Sequence, residues 1–316
     1  MHGFSNSNPT RAAALPVSSG DLIADRRYAI AKDLEARGDL AAAADLLTQA
    51  LERAPGFCVA WFAFAEVRER LGDRTGAAEA FRQALRLDPN DIQGAGLRLA
   101  RLEARNEPMP PAYVRTLFDQ YAPRYERALV EELAYCAPRL LRDAVERVRT
   151  ARGLAFQFRR MLDLGCGTGL AGEAFAPCCE TMFGIDLSPA MIEQARRKNL
   201  YSGMALADLA EALEREHNRA DLVVAADAFV YLPDLRRVCR AAAQVLENGG
   251  LFAFTTETHE GAGVVLGEKL RYAHSAEHLR DALEAAALCV LTLVPASPRT
   301  ENGVPVPGLL AVAERS

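Results

Sequence analysis

The 316-residue sequence contains no apolar run that approaches the roughly 20 residues a membrane-spanning helix needs. Its first twenty residues, MHGFSNSNPTRAAALPVSSG, lack a basic segment followed by an apolar core, so they are not typical of a secretory signal peptide. We therefore predict a disordered leader over residues 1–21, a cytoplasmic location and no membrane partner.

Motifs for metal binding or structural disulfides are also missing. The seven cysteines are odd in number and form no C-x-x-C motif. Cys178 and Cys179 are adjacent, which suits neither a simple structural bridge nor a zinc site. The sequence therefore predicts free thiols in a reducing compartment and no metal ion.

Basic charge is scarce relative to acidic charge. The formal net charge is −5, and the arginines are interleaved with acids, whereas nucleic-acid binding depends on clustered Lys and Arg. We therefore predict no nucleic-acid partner. Half of the residues are hydrophobic, and the chain is long enough for two domains with full cores.

An internal repeat occupies the first third of the chain. Gly38 and Gly72 lie in matching turns, and Pro55 and Pro89 close matching helical segments, each pair 34 positions apart. That is the tetratricopeptide period. The matching core positions are Arg27, Ile30, Ala31, Ala43, Leu47 and Ala50 in the first copy and Trp61, Phe64, Ala65, Ala77, Phe81 and Ala84 in the second. A third start, DIQGAGLRLARLEARN, resembles the closing helix of a solenoid. We predict a small all-α array over residues 22–108, whose role stays open between peptide binding and bracing or dimerising.

From Arg160 onward, strand-like apolar segments alternate with helical patterns. The strand-like segments are RRMLDL, TMFGID, ADLVVAAD, GGLFAFTTE, CVLTLV and PGLLAVAER. Ser188 and Pro189 are typical of the start of a helix between the second and third strands. This alternation predicts an α/β domain with a mostly parallel sheet covered by helices on both faces. The final two segments, joined by a polar loop, predict an antiparallel hairpin at the edge.

The first strand runs directly into MLDLGCGTGL, a turn with glycines at positions 165, 167 and 169. The dinucleotide fingerprint G-x-G-x-x-G is not matched, because Leu170 fills its last glycine position. We predict a loop whose backbone approaches a ligand at the carboxyl ends of the strands. A lone Asp is usually a turn or cap residue. Here Asp163, Asp186 and Asp227 lie at the ends of the first, second and fourth strands, and Asp208 follows a weak third strand in ALADL. Four acids at successive strand ends indicate a shared site.

Taken together, LDLGCGTG, GIDLSPAMIEQAR, ADL and LVVAADAFVYL resemble, in order and spacing, the motifs of class I S-adenosylmethionine-dependent methyltransferases over about residues 155–316. The whole chain is similar to bacterial methyltransferases that carry N-terminal tetratricopeptide repeats. The resemblance implies a Rossmann-like methyltransferase domain over residues 153–316, preceded by a helical lid or linker over residues 109–152.

The resemblance also implies S-adenosylmethionine as the cofactor and S-adenosylhomocysteine as the product. The methionine part would lie against the glycine loop with Asp163 near its ammonium, Asp186 would accept the ribose hydroxyls, and Asp208 would bind the adenine amino group. The residues assigned to the cofactor are Asp163, Leu164, Gly165, Cys166, Gly167, Thr168, Gly169, Asp186, Leu187, Met191, Asp208, Leu209, Ala226, Tyr113, Tyr121 and Tyr125.

The segment PAYVRTLFDQYAPRYERAL carries aromatic residues just before the sheet begins: Tyr113, Phe118, Tyr121 and Tyr125. It resembles the lid that this family folds over cofactor and substrate. A packing helix between two domains is the alternative. Tyrosines favour the lid, because they offer an apolar face with a polar tip to a bound ligand.

Methyl transfer is an in-line displacement that needs a desolvated pocket, and it needs a base only for a hydroxyl or a protonated amine. Four residues near the predicted acceptor wall are catalytic candidates: His259, His274, Tyr231 and Asp227. His259 follows the fifth strand. His274 precedes a helix capped by Ser275, where it could equally pack beneath the cap.

The sequence thus predicts a methyltransferase acting on an oxygen or nitrogen atom of a small molecule. Two alternatives stay open: a protein or peptide methyltransferase whose repeats recruit the substrate, and a cofactor-binding scaffold without turnover. The repeats are the predicted site for a protein partner or for self-association.

Overall fold

The computed structural model describes residues 18–127, 129 and 133–316. The chain divides into two compact units, one that ends at Tyr113 and one that begins at Val114. The predicted domain boundaries after residues 108 and 152 stay predictions, and most of the predicted leader lies outside the described residues. Within the described chain, no helix is both long and apolar enough to cross a membrane.

The first unit is built from paired helices. They are α1 Leu22–Ala36, α2 Leu40–Arg53, α3 Cys58–Arg70, α4 Arg74–Leu87 and α5 Ala95–Leu102. Asp39 and Asp73 cap α2 and α4, where each carboxylate accepts a backbone N–H. Gly38 and Gly72 have φ of 85° and 83°, a left-handed conformation that lets the chain reverse between paired helices.

The two copies differ in how well they bury their repeat positions. In the second copy Phe64, Ala65, Ala77, Phe81 and Ala84 are buried, with Phe81 fully so, and Trp61 is partly buried. In the first copy Ile30 stays 43% exposed. Arg27 occupies the position of Trp61, and its Nη1 donates a hydrogen bond to the Gln49 carbonyl at 3.1 Å. A side chain to backbone hydrogen bond thus joins α1 to α2 at that position.

The second unit carries the sheet. Its helices are α6 Pro111–Tyr121, which begins within the first unit, α7 Tyr125–Arg127, α8 Ala137–Ala151, α9 Leu170–Phe175, α10 Pro189–Arg197, α11 Leu209–Arg215, α12 Arg236–Val245 and α13 Ala276–Glu284. Its strands are β1 Phe158–Leu164, β2 Cys179–Asp186, β3 Gly203–Leu206, β4 Ala220–Ala225, β5 Leu246–Glu257, β6 Val264–Leu266, β7 Tyr272–His274, β8 Leu288–Ala296, β9 Thr300–Glu301, β10 Val304–Pro305 and β11 Gly308–Arg315.

The strand order in the main sheet is β3-β2-β1-β4-β5-β11-β8. The first five strands are parallel, and β11 runs antiparallel to both β5 and β8. The predicted hairpin therefore exists, but its second strand enters the sheet and β8 becomes the edge. The three-residue strands β6 and β7, which the sequence did not predict, pair with each other, and β7 also pairs with β5.

Both faces of the sheet are covered, as the helix and strand alternation predicts. One core packs around Phe229, Phe252 and Phe254, and the other packs around Phe158 and Phe175. The strand order reverses at β1, whose neighbours are β2 and β4. Open α/β sheets bind ligands outside the carboxyl ends of the strands at such a reversal, so the glycine loop after β1 lies at the expected binding position.

Candidate functional site

The glycine loop after β1 is held in a left-handed conformation. Gly165, Gly167 and Gly169 have φ of 67°, 53° and 93°, values that side chains other than glycine rarely adopt. A Cβ at Gly165 would lie 2.6 Å from Cβ of Ala228. The backbone N–H of Gly165 donates to the Ile185 carbonyl at 2.8 Å. The loop is therefore pressed between the ends of β2 and β4 with no room for larger residues.

Asp186 ties this loop to the end of β2. Its Oδ2 accepts the Gly167 N–H at 2.8 Å, and its Oδ1 accepts the Ser188 N–H at 2.8 Å. Burial raises the pKa of Asp186 to about 6, although these backbone hydrogen bonds oppose the rise. Asp186 as a whole is buried, with 8% of its surface exposed.

Asp163 is fully buried at the end of β1, and only one of its two carboxylate oxygens has a hydrogen-bond partner among the described residues. The Tyr201 hydroxyl donates to its Oδ2 at 2.6 Å, whereas its Oδ1 has no hydrogen-bond partner among the described residues. Burial raises the pKa of Asp163 to about 7, which the Tyr201 hydrogen bond opposes and the charge of Asp186 increases. The Thr168 hydroxyl is also buried without a partner in the described chain. Buried polar atoms are nearly always paired, so these two atoms mark a place for ligand groups.

A cavity opens along the glycine loop and Thr168. Its walls are Tyr125, Leu129, Tyr135, Gly165, Cys166, Gly167, Thr168, Leu170, Ala171 and Ala226. The Tyr135 hydroxyl donates to the Ala226 carbonyl at 3.3 Å. A Cβ on Gly167 would lie 3.8 Å from the Tyr125 ring, so the tyrosines and the glycine backbone form opposite walls.

Residues 114–127, which we call the lid segment, are latched to α10 at both ends of that helix. Asp119 Oδ1 accepts the Ser188 hydroxyl at 2.6 Å, and Ser188 in turn caps α10. Glu126 pairs with Lys198 at 2.5 Å. Since Ser188 is two residues beyond Asp186, the latch places the lid segment over the ends of the strands.

Aromatic rings of the lid segment meet the segment after β4. The Phe118 ring lies edge-on to Tyr231 at 5.2 Å and to Tyr125 at 5.9 Å between centroids. Edge-to-face packing of this kind excludes water from the space it covers. Two other predicted lid contacts are not brought to the loop. Tyr121 is 40% exposed beneath Arg124, and Tyr113 lies in the first unit with its ring against Gly94.

On the predicted adenine side, Asp208 acts as a helix cap. Its Oδ1 accepts the N–H groups of Ala210 and Glu211 at 3.0 and 3.1 Å, which starts α11. Three predicted contacts are partly or fully buried side chains: Leu187, Met191 and Leu209. The cap leaves Asp208 Oδ2 for a ligand, so the predicted contact is compatible with the helix start.

The histidines predicted as bases are engaged elsewhere. The His274 ring is fully buried, stacks on His278 and lies with its Nε2 2.9 Å from the Leu232 carbonyl. Burial lowers the pKa of His274 to about 4, so the ring is neutral near pH 7. This position agrees with the alternative of packing beneath the helix cap, and its catalytic role stays a prediction. His259 lies in a loop with its Nε2 3.2 Å from the Gly263 carbonyl, and its catalytic role stays a prediction.

Asp227 and Tyr231 do lie together, within a charged cluster that sequence reasoning missed. Asp227 Oδ2 accepts a hydrogen bond from the guanidinium of Arg299, and Tyr231 hydrogen bonds to Arg271. Other residues missed from the sequence are Tyr135, Tyr201, Asp119 and Glu257. These partners come from distant segments, so no local pattern could have indicated them.

The thiols offer no further chemistry at this site. Burial raises the pKa of Cys166 well above its ordinary value, so this loop thiol is not a ready nucleophile. All seven cysteines are free. Across residues 18–127, 129 and 133–316, no three His, Cys, Asp or Glu side chains come together as a metal site requires.

Two family models match the chain. Residues 162–254 match a methyltransferase domain, and residues 34–102 match a tetratricopeptide repeat. The first match includes the glycine loop and the ends of β2, β3, β4 and most of β5. Both parts of the predicted resemblance are confirmed.

Individual relatives match part of the chain. Human methyltransferase-like protein 27 is 34% identical over 175 residues, which is 54% of this chain and 66% of that protein. A ubiquinone biosynthesis O-methyltransferase of Bordetella avium is 32% identical over 146 residues, 42% of this chain and 61% of that protein. The chain spans less than two thirds of the length of these relatives.

Among solved structures, the Burkholderia thailandensis 1,6-didemethyltoxoflavin-N1-methyltransferase superposes with a TM-score of 0.50 at 17% identity. The superposition covers 67% of this chain and 93% of that protein. At this identity the likeness concerns the fold alone. The predicted fold class, a Rossmann-like methyltransferase sheet preceded by a helical repeat array, is confirmed.

Proposed function

We propose that this chain, in which tetratricopeptide repeats precede a class I methyltransferase domain, transfers a methyl group from S-adenosylmethionine to an oxygen or nitrogen atom of a small molecule. The observation that carries the proposal is the pair of buried, unpartnered atoms beside the glycine loop, Asp163 Oδ1 and Thr168 Oγ1. The match of residues 162–254 to a methyltransferase domain supports it.

The chemistry of these residues fits the cofactor. Asp163 would accept hydrogen bonds from the ammonium, and the Thr168 hydroxyl would donate to the carboxylate at the same end. Asp186 would accept the ribose hydroxyls, since its two oxygens retain lone pairs beyond their backbone partners. The Ala226 carbonyl, already near Tyr135, would bind the methionyl end. A second lone pair on that carbonyl leaves room for this bond.

When bound, the cofactor supplies an electrophilic methyl carbon on a sulfonium. The protein contributes orientation and exclusion of water. Phe118, Tyr125 and Tyr231 would close the apolar side of the pocket. Asp227 would accept a proton from the acceptor, because its Oδ1 is buried and has no donor in the described chain. Tyr231 is a poor base for this step, because burial raises the pKa of its hydroxyl and so keeps the hydroxyl protonated.

Binding of S-adenosylhomocysteine should release protons through Asp163. Its pKa of about 7 leaves the carboxyl about half protonated at pH 7 in the free protein. An ammonium beside it favours the carboxylate, so about half a proton should leave per ligand at pH 7, more at pH 6 and almost none by pH 8.5. Calorimetry in buffers of different ionisation enthalpy measures this release.

Asp163→Asn is the matched variant for that measurement. It keeps the size of the side chain and removes the titrating group, so the buffer dependence should largely disappear and the affinity should fall. A binding enthalpy of the wild-type protein that is independent of buffer at pH 6 and 7 would contradict the assignment. Absence of any binding would contradict the proposed function itself.

Amide exchange should slow in the lid segment and in residues 133–136 when S-adenosylhomocysteine binds, because a lid that closes over a ligand opens less often. Hydrogen exchange with mass spectrometry measures this. Asp119→Asn weakens the latch to Ser188, so it should speed exchange in the free protein and reduce the ligand effect. Equal protection with and without ligand would make the segment a packed connector.

For the repeats, bracing or self-association is the proposed role. The first helices of successive repeats are joined by ion pairs: Glu35 with Arg70 at 3.0 Å, Glu66 with Arg98 at 2.8 Å, and Glu69 with Arg101. These pairs join charged residues of α1, α3 and α5 to one another. This arrangement supports a brace more than an open peptide groove. The small-molecule acceptor is therefore the favoured substrate class.

A further inference from the structure

Arg299 is the largest fully buried side chain among the described residues, with 1% exposure. It lies in the loop between β8 and β9, and its guanidinium forms ion pairs with Asp227 and Glu257. Glu301 lies 3.6 Å from its Nε. Burying a charged group is costly unless it is paired and hydrogen bonded. The buried charge of Arg299 is therefore compensated by carboxylates from two separate strand ends.

Asp227 combines a left-handed backbone conformation with a carboxylate that is only partly paired. Its φ is 59°, a left-handed conformation that costs energy for a residue other than glycine. Its N–H donates to the Thr255 hydroxyl at 2.9 Å, and its Oδ2 accepts from Arg299. Its Oδ1 is buried and has no partner in the part of the chain that the structure describes. Strained residues with an unpaired buried atom occur at functional sites.

The same loop also holds the chain that follows the lid segment. The Thr300 N–H donates to the Leu133 carbonyl at 2.7 Å, and the Cys136 N–H donates to the Pro298 carbonyl at 2.8 Å. Between them, the Tyr135 hydroxyl reaches the Ala226 carbonyl, directly before Asp227. The loop that carries Arg299 thus lies against two walls of the site, the segment after β4 and the segment around Tyr135.

We infer that Arg299 is a positioning residue that keeps Asp227 ionised and leaves Asp227 Oδ1 available to the acceptor, which must therefore bring an O–H or N–H group. This inference rests on the proposed function and narrows it. As the acceptor heteroatom bonds to the methyl carbon, the electron pair of the carbon–sulfur bond stays with sulfur, and the proton of the acceptor passes to Asp227 Oδ1. An acceptor without such a proton would leave that oxygen unpaired.

An arginine suits this task better than a lysine. Its planar guanidinium presents donors in a fixed fork, and here it bonds to Asp227 through Nη1 and to Glu257 through Nη2. One oxygen of Asp227 is thereby fixed and the other is left for the acceptor. Lysine would keep the positive charge without fixing both carboxylates.

Several charged and titratable groups influence Asp227, and each affects its titration. They are Glu257 at the end of β5, Arg271 before β7, Arg299 and Glu301 of the β8–β9 region, Tyr231 after β4, and Tyr125 and Tyr135 of the lid side. Burial raises the pKa of Asp227, whereas Arg299 and Arg271 oppose the rise and Glu257 adds to it. Removing Arg299 and removing Glu257 therefore have opposite expected effects.

The test is a pH titration of the full chain labelled with ¹³C at the Asp carboxyl carbons, with S-adenosylhomocysteine present. The Asp227 signal is assigned by its loss in Asp227→Asn. Arg299→Met should move its titration midpoint up by about one to three pH units, because an opposite charge in contact is lost. Glu257→Gln should move it down, because a like charge is lost. Arg299→Lys should lie between wild type and Arg299→Met.

Turnover gives the second readout, on hydroxyl and amine acceptors from a metabolite screen. Arg299→Met should lower kcat about 10- to 100-fold with little change in the KM for S-adenosylmethionine, and Arg299→Lys should recover part of the loss. An unchanged Asp227 midpoint in both Arg299→Met and Glu257→Gln would overturn the inference. Turnover of an acceptor without an O–H or N–H would overturn it as well.

Calorimetry with S-adenosylhomocysteine separates this inference from the proposed function. If the wild-type protein does not bind S-adenosylhomocysteine, the proposed function is contradicted. If it binds and the Asp227 titration midpoint is unchanged in the variants, only the role of Arg299 is contradicted. If Arg299→Met does not fold, Glu257→Gln retains the buried arginine and still tests the predicted direction.

Discussion

Gly165→Ala is expected to destabilise the second unit by about 2 to 5 kcal/mol and to abolish measurable S-adenosylhomocysteine binding. About 1 to 2 kcal/mol comes from placing a side chain at a φ of 67°. A further 1 to 3 kcal/mol, roughly, comes from the new Cβ, which would lie 2.6 Å from Cβ of Ala228. Relief of this clash must move the loop, and the loop carries the Gly167 N–H that binds Asp186.

The matched control is Gly153→Ala. Gly153 has a φ of 66°, and a Cβ there would meet no atom within 4 Å. It therefore isolates the backbone strain, with an expected cost of about 1 to 2 kcal/mol and unchanged ligand affinity. Urea unfolding followed by circular dichroism and calorimetric titration measure the two effects. Equal stability losses in both variants, with binding retained, would show that the loop does not press on the end of β4.

Asp186→Ala is expected to weaken S-adenosylhomocysteine binding by about 1.5 to 3 kcal/mol, the contribution of hydrogen bonds to a charged group. That corresponds to about 10- to 150-fold in the dissociation constant. Part of the loss comes from the ribose hydroxyls. The rest comes from the Gly167 and Ser188 N–H groups, which lose the acceptor that fixes them at 2.8 Å.

Asp221→Ala is the matched control, which distinguishes a loss of ligand affinity from a general loss of stability. Asp221 also accepts two backbone N–H groups, those of Arg159 and Arg160 at 2.8 and 2.9 Å, but at the opposite end of β1. Both variants should lose comparable stability, whereas only Asp186→Ala should lose affinity. Equal affinity in the two variants would remove Asp186 from the cofactor site.

The parts of the site that the sequence predicted are those encoded locally. Gly165 and Gly167 follow a strand directly, and Asp186 ends the next strand, so spacing alone places them at one edge of a parallel sheet. Ser188 likewise reads as a cap from its neighbours, and it does cap α10. Such features depend on a few consecutive residues and the regular geometry of strands and helices.

The partners that tune these residues were not predictable in the same way. Tyr201 binds Asp163 across 38 positions of sequence, and Arg299 binds Asp227 across 72. Contacts between residues so far apart in sequence depend on how the whole sheet is assembled. For His274 the sequence left catalysis and packing beneath the helix cap open, and the contact of its ring with the Leu232 carbonyl, 42 positions away, could not be read from its neighbours.

The position of β11 between β5 and β8 makes this edge of the sheet depend on a single strand. Along the chain β8 comes before β11, yet in the sheet β8 pairs only with β11 on the strand path β5-β11-β8. A chain cut before Gly308 would leave β8 without its strand partner in this sheet and would expose the backbone groups of β5 that pair with β11.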